Sequence, residues 1–324
     1  MTIEAIERCG ICRSYLDEED LFCANCGTEN PHADASASRL AKVTDHHSFE
    51  CDGCGASMSY DASAKALRCP FCGSTEMHRK PGVRSIQPDL VVPFSIAKEQ
   101  ATKRLKAWLS EGFWKPSDAA RASTIGEMTA VLVPYWVFNA ECDTSWTGDT
   151  SVTPMGSRGD WAPLSGTNRS RYENILVGGS SVLTPRETAS IEPFQTDQGV
   201  PPEQFDLQNT TFESFRVPRK LARPLARGVI EERERLTCSQ YISGRSRNVK
   251  VNVKIESMIG RPCLLPVWIL AYRYKKEVYR VLINGQTGKI SGTSPFAYGK
   301  LTIIIVIVAL VIAAIVAIAV LANR

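Results

Sequence analysis

Residues 131–138 read VLVPYWVF and residues 263–270 read CLLPVWIL. Both fit one frame, x-Leu-apolar-Pro-x-Trp-apolar-apolar, in which Pro134 matches Pro266 and Trp136 matches Trp268. Apolar runs of this kind read as strands. Proline has no amide hydrogen to give a ladder, so both runs are expected to begin at a strand entry or an edge, with the tryptophan two residues on packing one face. The echo reads as duplication of a strand unit; two strands that are alike by coincidence are the alternative.

Around these runs the chain alternates between helical and extended patterns. Ala101, Leu105, Trp108 and Leu109 recur at helical spacing, which predicts an amphipathic helix over residues 95–111 with Ser95 as its N-cap. Residues 248–256 alternate strictly, with Val249, Val251, Val253 and Ile255 on one face and Lys250, Asn252, Lys254 and Glu256 on the other, the pattern of a half-exposed strand. Residues 278–283 and 289–291 flank NGQTG, a hairpin signature. Residues 205–241 are helical in character and rich in arginine. These readings predict a mixed α+β middle domain with an antiparallel sheet over residues 81–298.

Upstream lie eight of the eleven cysteines, in four C-x2-C pairs: Cys9/Cys12, Cys23/Cys26, Cys51/Cys54 and Cys69/Cys72. Two thiols three positions apart on a tight turn converge on one ion, and a second pair completes a tetrahedral four-thiolate site of the kind zinc prefers. Glycine follows three of the knuckles, at Gly27, Gly55 and Gly73, where positive φ turns amides toward the sulfurs; Arg13 follows the other. Four pairs in succession do not fit a redox C-x2-C motif, which needs one pair at a helix start. Two structural Zn2+ sites are therefore expected, in ribbons over residues 1–30 and 49–80. The polar, aperiodic residues 31–48 form a linker that lets the ribbons move independently. Cys142, Cys238 and Cys263 read as packed thiols. His32, His46, His47 and His78 read as solvated.

Ribbons of this type often meet nucleic acid, but residues 1–80 hold 8 Lys/Arg against 13 Asp/Glu, a net −5. Phosphate neutralisation supplies most non-specific affinity, so an acidic segment is better suited to hold a protein partner or its own neighbouring domain. Residues 216–229 carry Arg216, Arg219, Lys220, Arg223 and Arg227 with no acidic residue. A solvated face is the plainer reading of this cluster; contact with anionic lipid is the other.

The chain opens MTIEAIERCGIC, with no signal-peptide pattern. Residues 301–322, LTIIIVIVALVIAAIVAIAVLA, hold no charge, proline or glycine and span about 33 Å as a helix, against about 30 Å for a bilayer core. A single C-terminal transmembrane helix is expected, with the bulk of the chain cytoplasmic because Lys300 and the basic balance before it favour that side. No Walker, G-x-G-x-x-G or G-x-S-x-G pattern occurs, and residues 81–300 contain no histidine. The sequence is thus expected not to be an enzyme.

CDGCGASMSYDASAKALRCPFCGS, VVPFSIAKEQATKRLKAWL, VLVPYWVF and LLPVWILAYRYKKEVYRVLINGQTGKISGTSPF together resemble bacterial TFIIB-type zinc-ribbon proteins with a C-terminal membrane segment. The likeness covers most of residues 50–300. It implies association with SPFH-domain and phage-shock-protein-A-type envelope-stress systems. The ribbon at Cys9 to Cys26 departs from the single-ribbon pattern of that family. The expectation is a tail-anchored, cytosol-facing adaptor that docks protein partners at the membrane. The alternative is a membrane-tethered nucleic-acid-binding regulator.

Overall fold

The structure is a computed structural model and describes residues 3–4, 7–13, 15–16, 23, 28, 48–60, 67–79, 85–110, 124–125, 128–274, 277–294 and 297–322. At the amino end are β1 (Ile3–Glu4), β2 (Glu7–Arg8) and β3 (Tyr15–Leu16), followed by β4 (Ser48–Cys51), β5 (Ser57–Ser59) and β6 (Met77–Arg79). Next come β7 (Ser85–Ile86), β8 (Leu90–Val91), α1 (Lys98–Ser110), β9 (Thr124–Ile125), β10 (Thr129–Thr150) and β11 (Ala162–Gly178). Then α2 (Pro185–Ser190), β12 (Phe212–Glu213), α3 (Arg219–Gln240), β13 (Ser246–Tyr274), β14 (Glu277–Asn284), β15 (Ile290–Gly292) and α4 (Tyr298–Ala322) complete the described elements. The fold is α+β around one mixed sheet, and the linker's last residue, Ser48, already belongs to β4.

The two echoed runs pair with each other at the centre of that sheet. Pro134 lies opposite Leu264 and Leu132 opposite Pro266, so a local two-fold axis passes between Val133 and Leu265. The correspondence extends well beyond the strands. β8 pairs in parallel with Leu264 as β12 does with Leu132. The Trp268 indole donates to Ile96 O at 2.9 Å and the Trp136 indole to Val217 O at 2.8 Å, just ahead of α1 and α3 respectively. Phe94 meets Trp268 edge-on at 5.2 Å, and Phe215 meets Trp136 edge-on at 5.7 Å. The amides of Gly179 and Gly285 donate to Pro134 O and Pro266 O, each at 2.8 Å. A Cβ at Gly285 would fall 2.6 Å from the Phe94 ring, so the ring must shift to admit one, and at Gly179 the Phe215 ring lies 3.0 Å from the same point, a tight approach. The strand-unit echo is therefore one part of a duplicated β-α-β-β unit. The short strands are exchanged, β8 pairing with β13 and β12 with β10; α1 packs on β13, and α3 lies across β13, β11 and β10.

Neither proline sits at a strand entry or on an edge strand, the two places the sequence reading allowed. Each lies well inside a long strand, with the carbonyl, and hence the missing N–H, on the side facing Gly179 or Gly285. The ladder between β10 and β13 loses nothing, because the ring points to the flank where the neighbouring strand only begins. Ser95 is not the cap of α1; the helix starts at Lys98, and the amides of Ser95 and Ile96 both donate to Gly285 O. Ala101, Leu105 and Leu109 are buried as expected, against Trp268, Leu270 and Ile283.

NGQTG does connect β14 to β15. Fully buried Asn284 donates to Ile191 O and Pro193 O and accepts from the amides of Gln286 and Thr287, which ties that turn to the segment after α2. The alternating strand expected over residues 248–256 is the first part of β13, with Lys250, Asn252, Lys254 and Glu256 exposed. Over residues with described side chains, no helix is long and apolar enough to cross a membrane. The backbone of α4 is helical for 25 residues. Nine of its large apolar side chains, Ile303 through Ile315, are at least half exposed.

Candidate metal centres

Each C-x2-C knuckle is a backbone device before it is a ligand pair. The amide of Cys51 donates to Ala56 O and the amide of Gly55 to Cys51 O; Cys69, Gly73 and Ser74 repeat the same two bonds. Gly55 and Gly73 adopt φ of 75° and 76°. Arg13 takes the same left-handed conformation, φ 54°, and donates its amide to Cys9 O, so the odd residue after the first knuckle follows the common geometry at a steric cost. Cys23 completes the set by donating its amide to Thr28 O.

These turns bring Cys51, Cys54, Cys69 and Cys72 together, all four sulfurs within 4.8 Å of one another. Cys51 and Cys72 stand 3.5 Å apart, as do Cys54 and Cys69. A Zn–S bond of about 2.3 Å in a tetrahedron requires sulfurs roughly 3.8 Å apart, so the cluster fits a four-thiolate metal. The backbone at Ala56 and Ser74 hydrogen bonds to the sulfurs of Cys54 and Cys72. Without a metal the crowded thiols divide: Cys54 falls to about 5 through its hydrogen bond with Cys69, and Cys69 is pushed up. His78 is engaged with Asp52 at 2.5 Å. Cys9, Cys12 and Cys23 form a second cluster, with Cys12 and Cys23 3.5 Å apart. Its expected fourth ligand, Cys26, lies outside the described residues, as do His32, His46 and His47.

The second ribbon is welded to the middle domain. β5 pairs with β12, placing Met58 opposite Glu213, and β4 and β6 extend the main sheet beyond it. Cys51, Ala56, Met58, Cys69 and Phe71 share one apolar core with Val131, Val133, Tyr135 and Leu265. Arg280 of β14 donates to Phe71 O at 3.0 Å, lays its guanidinium 5.8 Å from the Phe71 ring centre, and pairs with Glu187. Arg216 pairs with Glu50 of β4 at 3.1 Å. Glu213, in the seam, accepts from Ser180 Oγ and the Ser181 amide; burial nonetheless pushes its carboxyl up to about 8. Sequence reasoning allowed a ribbon docked on its own neighbouring domain, as one of two readings of the acidic segment, but missed Glu213, Arg280 and the strand pairing that make the seam.

Among its described residues, the first ribbon joins the middle domain through fewer contacts, with β3 lying against β13. It has a small core of Cys9, Leu16 and Cys23, with Cys12 against it. Arg8 pairs with Asp89 at 2.8 Å, and β1 pairs with β7. Cys142, Cys238 and Cys263 are buried, as packed thiols should be.

No protein-family model matches the chain, and no solved structure matches it. The chain is similar to the uncharacterized protein YdjG of Bacillus subtilis (strain 168), 23% identical over 313 residues, covering 78% of this chain and 91% of that protein.

Proposed function

We propose that the chain is a non-catalytic adaptor that displays a zinc ribbon beside a membrane. The carrying observation is a contrast at one knuckle position. At the third position of a C-x2-C knuckle, Phe71 in the second knuckle of the second ribbon is 1% exposed and plugged into the domain core, whereas Ile11 in the first knuckle of the first ribbon is 74% exposed. The second ribbon spends its apolar tip on its own domain; the first offers the same tip outward, as a protein-binding knuckle would.

Zinc is the metal that suits both thiol sets, and with four thiolates no coordination position is left for water, so its part is structural. α4 supports the membrane half of the reading: its backbone is helical over 25 residues, a rise of about 38 Å against about 30 Å for a bilayer core, and nine of its described apolar side chains are at least half exposed. An orientation with the domain on the cytoplasmic side follows from the charge balance before the helix. The resemblance adds the expected partner class, SPFH-domain or phage-shock-protein-A-type proteins of an envelope-stress response. Nucleic acid is disfavoured by the acidic ribbon segment and by Arg68, which turns in to donate to Gly73 O.

The test is affinity purification of the full chain from detergent-solubilised membranes, followed by mass spectrometry. Partners that accompany the wild type and vanish with Ile11→Asp support the reading. An unchanged set would refute the first ribbon as the docking element. Deleting residues 301–324 should move the protein to the soluble fraction, and its persistence in washed membranes would remove the anchor.

A further inference from the structure

An anchor at α4 fixes which end of the sheet meets the bilayer. β15 runs antiparallel to β14, from Ile290 opposite Ile283 to Gly292 opposite Val281, so the chain travels toward the turn between β13 and β14, where Tyr274 lies opposite Glu277. Thr293 is pinned to the sheet at that end. Its amide donates to Arg280 O at 3.0 Å, and its carbonyl accepts from the hydroxyl of buried Tyr272 at 3.1 Å. α4 begins five residues later, at Tyr298, and its uncharged run begins at Leu301. Five extended residues reach no further than about 18 Å, and one helical turn adds about 5 Å. The headgroup layer is itself roughly 5–8 Å deep on each side of the hydrocarbon core. Thr293 therefore stands no more than about 18 Å above the headgroups, and the Tyr274–Glu277 end of β13 and β14 projects past it in the direction β15 runs.

The opposite end of the sheet is held far off. β13 is 29 residues long, roughly 90 Å measured along the strand. It starts beside the β10–β11 loop, where Val152 and Met155 are exposed. The composition of the near end suits a lipid surface: residues 272–276 read YRYKK, cations set among tyrosines as at membrane interfaces. Each ribbon then has a height. Arg280, which bonds to Thr293, also holds Phe71 O, so the second ribbon lies at the membrane end. The first ribbon meets the sheet through Arg8 and Asp89, whose amide donates to Pro262 O, further along β13 toward the arm.

We infer that the β13–β14 end of the sheet rests on an anionic headgroup layer, with the β10–β11 loop directed away from the bilayer and the first ribbon clear of the headgroups, open to a partner. This rests on the reading of α4 as an anchor. The test uses the full chain in vesicles of phosphatidylcholine, alone or with roughly 30% phosphatidylglycerol, that carry a headgroup-linked energy acceptor. A donor dye is placed at Glu277→Cys or at Met155→Cys, and mass spectrometry confirms the labelled site. Energy transfer should be several-fold greater at position 277 than at 155, rise further at 277 on the anionic vesicles, and fall back at high salt. Equal transfer at the two positions, or more at 155, would overturn the proposal, as would transfer at 277 that ignores lipid charge. A chain that floats with neither vesicle would sink the anchor and this orientation with it. One that floats and shows equal transfer would sink the orientation alone.

Discussion

The two ribbons share one knuckle geometry and differ in where they spend it. In the second, β5 joins the main sheet, Phe71 enters the core, and Arg280 and Arg216 clamp the outside. In the first, the core is local and Ile11 faces solvent. The difference teaches that a metal knuckle is a rigid handle with no fixed partner. What it does depends on the residue at its tip and on whether a sheet edge lies within reach.

The largest expected effect comes from removing thiols. Cys69→Ser/Cys72→Ser should lose about one equivalent of zinc and take the sheet domain with it, since structural zinc contributes on the order of 10 kcal/mol. Cys9→Ser/Cys12→Ser should lose the same equivalent with the main thermal transition unmoved. Metal analysis with calorimetry checks both, and equal shifts would abolish the contrast. Next, Phe71→Ala should cost about 3–5 kcal/mol, whereas Ile11→Ala should cost less than about 0.5 kcal/mol; denaturant titration compares them.

Glu213 gives the seam of the second ribbon a pH dependence. Burial raises its carboxyl from 4.5 to about 8 in the folded chain, against the opposing bonds from Ser180 and Ser181. Between those values the folded state holds a proton that the unfolded state has released, so stability should fall as pH rises, by about 1.4 kcal/mol per unit. Glu213→Gln should flatten that slope, and a slope unchanged in Glu213→Gln would clear the residue. Glu234 makes the contrast: burial would raise it, but hydrogen bonds from neighbouring side chains, Tyr172 and Asn168 among them, bring it below its ordinary value. The smallest effect is at Arg13, where Arg13→Gly should relieve left-handed strain and strengthen zinc binding at the first ribbon by about 1 kcal/mol or less. Competition with a chelator measures it.

Much of this was legible because the signals are local. Cysteine spacing announced both clusters, strict alternation announced the start of β13, and helical spacing announced α1. The echo of VLVPYWVF in CLLPVWIL hinted at duplication but not at its extent. The matching partners, Phe94 with Ile96 and Phe215 with Val217, are short segments whose likeness becomes visible only when both tryptophans reach a carbonyl. The prolines misled for a related reason, since the rule against a central proline assumes that both flanks of a strand are paired throughout. The strand pairing of the seam was illegible because it is made by tertiary contact: nothing near Met58 in sequence shows that β12 will lie beside it.

The exchange of short strands across the local two-fold has a consequence for how the protein is made. β10 leaves the ribosome more than a hundred residues before its partner β13, and α1 emerges before Trp268, the residue whose indole its leading segment receives. Neither half holds a complete core, so the nascent chain must carry Trp136 and the apolar face of β10 unsheltered until the second unit arrives, a slow closure of the kind that invites chaperones. Truncations ending before β14 should therefore yield aggregate rather than a smaller stable domain.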